Sequence, residues 1–433
     1  MKRYPKYKDS GVPWLGQVPA HWEVKRAKYL LRQLNRPADG ETEIVTAFRD
    51  GVVTRRSNRR EDGFTISTKE IGYQGVKTGD FVLHSMDAAA GCVGVSDSDG
   101  KCSPVYAVCS AVPNANQWYL SDVFRVMAAA GWIAAHSKGI RQRSTDFRFD
   151  ELAAQFFPLP TRGEQDVIIS FLRHVTLEID SAISSQERMI ELLKERRSAI
   201  ITQAVTKGLN PKAKMKDSGV PWLGQVPAHW EVRPLKSLAW SPGTLFIDGD
   251  WIESENISDA GIRYLTSGNV GEGLYKEQGA GFITPETFQE LNCEEVFPRD
   301  VLISRLNLPI GRACVVPDLG QRIVTCVDNV ILRTNGSFSP NFLAYLFSSK
   351  THFDNMETLG RGSTMLRISR TTLGNVRFAF PPFNEQLSIV KYLDAVVAEL
   401  DSTISSQERM IELLKERRSA IITQAVTGQI DVR

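Results

Sequence analysis

The sequence lacks most of the marks that enzymes and membrane proteins carry. No run of about eighteen apolar residues occurs in its 433 residues, so no membrane-spanning helix is expected. Its opening is charged and aromatic (Lys2, Arg3, Tyr4, Lys6, Tyr7) with no apolar stretch behind it, which reads as no signal peptide. The cysteines are few: Cys92, Cys102, Cys109, Cys293, Cys314 and Cys326. None forms a C-x-x-C pair and no histidine sits at ligand spacing from two of them. That excludes a zinc-finger pattern and reads as reduced thiols in a cytoplasmic protein. No phosphate-binding G-x-x-x-x-G-K-[ST] loop exists, since Gly100-Lys101 is followed by Cys102; H-E-x-x-H and G-x-S-x-G are missing too. Neither sign of charge dominates. The net charge of +2 neither demands nor forbids a nucleic-acid partner, because patches matter more than totals.

What is present is a repeat. "DSGVPWLGQVPAHWEV" at 9–24 returns unchanged at 217–232, and "ISSQERMIELLKERRSAIITQAVT" at 183–206 returns at 404–427. The chain is two tandem halves, each opened by the first block and closed by the second. Between the blocks identity is sparse, with Asp80-Phe81-Val82-Leu83 aligning with Asp300-Val301-Leu302-Ile303. The two middles therefore read as one fold with two different surfaces. Recombination between identical blocks explains this better than a plain recent duplication.

The Pro-, Gly- and Trp-rich first block cannot be a helix interior. It reads as an extended strap with Trp14, Trp22, Trp222 and Trp230 buried. The middles carry short β-branched runs such as "GDFVLHSM" and "RDVLISRL", with helical pieces between, and predict mixed α/β domains. After Pro158 and Pro160, and after Pro381 and Pro382, a long helix follows. Leu172, Ile179, Met189, Leu193 and Ile200 step along the first; Leu393, Leu400, Met410, Leu414 and Ile421 mark the second. Gln186 and Gln407 fall at the centre of this coiled-coil-like stripe. Each helix spans about 65 Å, and the stripes can be buried by running the helices antiparallel. The expected architecture is an α/β (mixed) fold in which two α/β domains are joined by a long antiparallel two-helix coiled coil, a pseudo-twofold tandem repeat. Expected boundaries are 1–160 for the first domain, 161–207 for the first helical spacer, 208–383 for linker and second domain, and 384–433 for the second spacer.

No catalytic constellation emerges. "FPPF" at 380–383 has Phe380 where amine methylation needs Asn or Asp. Basic clusters do emerge in the middles: Arg55, Arg56, Arg59 and Arg60; Lys138, Arg141 and Arg143, with Arg148 beyond; Arg305; and Arg361, Arg367 and Arg370. Mixed with Ser, Thr, Asn and Gln, they suit phosphate contacts and bidentate reading of base edges. A solvated charged surface is the bland alternative for any one cluster.

The first block, the "GD-F-V-L" and "RD-V-L-I-S-R" strands, Glu164-Gln165 and Glu385-Gln386 after the prolines, and the "LLKERRSAIITQAVT" helix together closely resemble the specificity subunit of type I restriction–modification systems, over the whole chain. The resemblance implies two target-recognition domains that each bind one half of a bipartite, asymmetric site on double-stranded DNA. It implies helical spacers that set the gap and dock two methyltransferase subunits, and motor-endonuclease subunits recruited to that assembly. The chain itself is then non-catalytic and without a metal. S-adenosylmethionine, ATP and Mg²⁺ belong to the partner subunits. The competing classes are a stand-alone DNA methyltransferase or nuclease, and a coiled-coil scaffold with no DNA role.

Overall fold

The computed structural model describes residues 2–39, 41–59, 70–138, 146–279, 281–362 and 365–433. The chain forms two compact units: Met1–Gln186 with Arg409–Arg433, and Glu187–Glu408. Two long helices, α1 (Arg162–Lys207) and α2 (Phe383–Val426), each contribute one part to either unit.

The centre of unit 1 is a four-stranded antiparallel sheet of β1 (Leu31–Gln33), β2 (Phe81–His84), β3 (Val93–Val95) and β4 (Tyr106–Ala111), in the spatial order β1-β4-β2-β3. Unit 2 repeats it with β5 (Leu245–Asp248), β6 (Val301–Ser304), β7 (Ala313–Val315) and β8 (Asn329–Arg333), in the order β5-β8-β6-β7. The β-branched runs sit on the inner strands β2 and β6, where Phe81, Val82, Leu83, Val301, Leu302 and Ile303 are fully buried. Around this shared sheet the units differ. Unit 1 adds two separate two-stranded ribbons, whereas unit 2 adds one three-stranded sheet that includes a parallel pair.

Each strap forms a short antiparallel ribbon, Tyr7–Asp9 with Gln17–Pro19 and Met215–Asp217 with Gln225–Pro227. Trp22 and Trp230 are buried at its end, while Trp14 and Trp222 are only partly covered. An indole buried for its area must still satisfy its N–H. Here Trp22 Nε1 donates to Glu164 Oε1 at 3.1 Å, and Trp230 Nε1 donates to Glu385 Oε1 at 3.2 Å. The Tyr4 hydroxyl (2.8 Å) and His21 Nε2 (3.0 Å) complete the shell of Glu164; His229 Nε2 (2.7 Å) does so for Glu385. The neighbouring glutamines, Gln165 and Gln386, are fully buried. Gln165 Oε1 accepts from the Asn116 amide at 2.7 Å and Gln386 Oε1 from the Ser339 amide at 2.9 Å. The first turn of each long helix thus holds its strap on one side and a domain helix on the other.

Within each unit the two long helices run antiparallel. In unit 1, Arg418 Nε lies 3.0 Å from Asp180 Oδ1; in unit 2, Arg197 Nε lies 2.9 Å from Asp401 Oδ1 and Lys194 Nζ 3.8 Å from Glu408. The first two pairs are one contact made twice, with the helices exchanging roles. Leu172, Ile179, Leu393, Leu400 and Ile421 are buried in the seam; Leu193, Ile200 and Leu414 are half-buried. Met189 (48% exposed) and Met410 (47%) lie outside it. The buried line through the middle passes instead through Ile183 and Ile190, and through Ile404 and Ile411, at seven-residue steps. A face defined by those isoleucines leaves the residue one position earlier about 100° away, at the edge of the contact.

Candidate nucleic-acid interface

Two equivalent features place the basic runs. Asp80 and Asp300 sit buried before β2 and β6. Asp80 accepts the Lys77 amide (2.7 Å) and a two-pronged contact from Arg36; Asp300 accepts the Phe297 amide (2.9 Å) and Arg333 Nη2 (2.8 Å). These bonds fix the turn into each strand, and the strand delivers a second turn at its far end. A backbone amide from later in each unit meets that turn. Phe147 N donates to Ser85 O at 3.1 Å, and Ile368 N donates to Arg305 O at 3.0 Å. Phe147 and Ile368, which look unrelated in sequence, therefore occupy the same place in the two units.

In unit 1 this place borders a cleft of about 880 Å³. Arg56 lines it, its Nε donating to Thr46 Oγ1 at 3.0 Å. Arg59 lines it too, held by Asp50 and lying 4.6 Å over the Phe48 ring. A guanidinium held from below by a carboxylate and an aromatic face is pre-organised for a phosphate or a guanine edge. His84 stands edge-on to Tyr106 at 4.5 Å, and its Nδ1 accepts the Asp87 amide at 3.0 Å. Burial lowers its pKa and keeps the ring neutral, so Nε2 carries the proton as a fixed donor. Arg55 does not line the cleft; its Nε donates to Asp99 O at 3.0 Å. Lys138 is exposed, with Nζ 2.6 Å from Glu151, and Arg148 pairs with Asp146 at 2.8 Å. Arg60, Arg141 and Arg143 fall outside the described residues.

In unit 2 the structure places Arg305 inside the fold. It is 5% exposed; Nη1 donates to Ile368 O (3.0 Å) and Nη2 to Val327 O (2.6 Å), and Nε is ion-paired with Asp248 Oδ1 at 3.0 Å. An arginine at the mouth of a buried strand is worth more to the fold as a clamp on three segments than as a surface charge. The surface beyond it carries Arg370, 3.6 Å from Asp248, and Arg367, 2.7 Å from Asp328. Arg361 is exposed and backbone-paired with Arg367. Met365 (60% exposed) and Leu308 (58%) give this surface an apolar component, suited to the thymine methyl. Arg312, which the sequence did not single out, ties the surrounding loops together by donating to the carbonyls of Val270 (2.8 Å), Leu306 (3.0 Å), Asn307 (3.0 Å) and Ser267 (3.0 Å). Nothing in "GRACVVP" distinguishes this arginine from a solvated one.

Among the described residues, no group of three or more His, Cys, Asp or Glu is placed to hold a metal ion, and no helix is long and apolar enough to cross a membrane. All six cysteines are buried and free.

Two matched frames with unlike surfaces define a tandem recognition protein, and comparison with known proteins agrees. Residues 227–409 match the family described as type I restriction modification DNA specificity domain. The putative type I restriction enzyme MjaX specificity subunit of Methanocaldococcus jannaschii is 22% identical, over 97% of this chain and 96% of its own length. The EcoKI specificity subunit of Escherichia coli K12 is 22% identical over 48% of this chain and 44% of its own. Among solved structures, a chain from the type I R-M system aligns with a TM-score of 0.70 at 18% identity, covering 95% of this chain and 99% of that one. The HsdS subunit from Thermoanaerobacter tengcongensis aligns with a TM-score of 0.54 at 18% identity, covering 95% and 98%. Residues 227–409 thus match the DNA specificity domain of type I restriction–modification systems, and nearly the whole chain is similar to specificity subunits of those systems.

Proposed function

We propose that each unit reads one half of a bipartite, asymmetric DNA site, that the paired helices set the gap between the halves, and that the repeated blocks dock two copies of one methyltransferase subunit. The observation that carries this reading is the contrast between frame and surface. Strap, glutamate anchor, sheet order and the Asp80 and Asp300 turns recur, while the surfaces beside them carry different residues, Arg56, Arg59 and His84 in one unit and Arg361, Arg367, Arg370 and Met365 in the other. Two copies of one partner require two copies of one surface, and the helices offer it. Met189 with Leu192, and their repeats Met410 with Leu413, are all more than 40% exposed, an apolar pair suited to a helical or concave partner.

On this reading the chain is non-catalytic. S-adenosylmethionine serves the methyltransferase subunits, and ATP with Mg²⁺ serves the motor-endonuclease subunits. The direct test is methyl transfer and duplex binding. The chain alone with labelled S-adenosylmethionine should transfer nothing to DNA. Its complex with the methyltransferase should bind one duplex sequence tightly, with strong salt dependence. Turnover by the chain alone, or a complex indifferent to sequence, would refute the proposal.

A further inference from the structure

A second cleft of unit 1, about 300 Å³, is lined by Arg49, Arg125, Lys415 and Arg418, with no acidic residue among its lining. Its floor is small: alanine and glycine at 89–91 and alanines at 128–129, with the hydroxyls of Ser419 and Thr423 alongside. Arg49 also lines the larger cleft that carries Arg56 and Arg59, so the basic surface continues from one to the other. Arg418 is held by Asp180 at 3.0 Å. Arg125 is partly buried and makes no hydrogen bond or ion pair with any described residue; Asp122 offsets its charge only electrostatically. A half-buried guanidinium that has lost part of its hydration and has no protein partner is stabilised by an incoming anion.

The repeated helix shows that this is a feature of place rather than of sequence. Lys415, Arg418, Ser419 and Thr423 are copies of Lys194, Arg197, Ser198 and Thr202. In unit 2 two of those copies are engaged elsewhere, Lys194 lying 3.8 Å from Glu408 and Thr202 Oγ1 accepting the Lys350 amide at 3.0 Å, while Arg197 pairs with Asp401 just as Arg418 pairs with Asp180. Counting from the matched helix caps Asn116 and Ser339, the counterpart of Arg125 is Ser348. We propose that the unit 1 cleft binds backbone phosphate of the DNA beside the half-site read by unit 1, a contact blind to base sequence and made by one unit only. This rests on the DNA reading above. The four cations supply the charge, and the small floor lets a phosphodiester approach.

The test uses the complex with its methyltransferase and measures duplex affinity against salt. In the Arg49→Ala/Lys415→Ala double variant, both altered side chains are exposed. Its log–log salt slope should be shallower by about one to two, equally on cognate and scrambled duplexes. Lys194→Ala should leave the slope unchanged. An unchanged slope in the double variant, or the same loss in Lys194→Ala, would overturn the proposal while leaving the function standing. Inorganic phosphate at constant ionic strength gives a separate arm. If it raises the melting temperature of the wild type but not of the double variant, and the DNA slopes do not differ, the site takes a small anion and the duplex assignment is wrong. A wild-type complex that binds no duplex would instead sink the function itself.

Discussion

At the scale of single residues, Glu164 and Glu385 hold the two halves of the repeat to one plan. Glu164 has a 4% exposed side chain and three side-chain donors; Glu385 is 28% exposed and has two. Charge-assisted bonds in a buried shell contribute more than the same bonds near water. Glu164→Gln should therefore cost about 2 kcal/mol in urea unfolding, and Glu385→Gln less; a larger loss at Glu385 would contradict this. His352 gives a pH signature. It is fully buried against Phe347, Phe353 and Phe378, its Nε2 lies 3.0 Å from Gly311 O, and burial pushes its pKa down to about 4. The unfolded chain then takes up its proton first as pH falls, so stability present above pH ~6.5 is lost toward pH ~4. Wild type should lose about 2 kcal/mol more than His352→Leu between pH 7 and 5. Equal losses would show that the ring is not held neutral. The tryptophan straps were legible in sequence because a Pro-Gly-Trp block can do little else. The glutamates that anchor them were legible only through family resemblance, because their bonds span 142 and 155 residues.

At the scale of elements, the ends of the two long helices are alike in sequence and unlike in crowding. Gly208 and Gly428 both turn the chain with positive φ, +74° and +75°. A Cβ on Gly428 would meet Pro19 Cδ at 2.4 Å. On Gly208 the nearest atoms would be Glu385 Oε1 at 3.1 Å and Trp230 at 3.3 Å. Alanine at either position carries the left-handed strain of about 1 kcal/mol, and only Gly428→Ala adds a clash with a rigid ring. The expected order is Gly428→Ala less stable than Gly208→Ala by thermal unfolding, and the reverse order would count against the packing of the strap on the last turn of α2. Hydrophobic periodicity made the helices and their antiparallel pairing readable. It erred by one position at Met189 and Met410, because a stripe stepping by threes and fours is satisfied by two adjacent lines until a partner selects one. The equivalence of Phe147 and Ile368 was hidden, since backbone bonds, and no shared side chain, place them.

At the scale of the whole molecule, the proposed function makes the repeated parts framework and gives the choice of target to the unrepeated parts. The helices should act on spacing alone. Seven residues inserted into each, between Gln186 and Leu193 and at the matching position of α2, preserve the buried face and should lengthen the gap between half-sites with both halves unchanged. A changed half-site with an unchanged gap would break the assignment of spacing to the helices. The most direct measurement is a map of modified bases across the genome of a host that expresses this chain with its methyltransferase. It should be made before and after residues 25–160 are replaced by the corresponding middle of a relative. Two specified blocks separated by a fixed unspecified gap, with one block alone altered by the replacement, is the predicted result. A single contiguous motif, or a replacement that alters both blocks, would contradict the account.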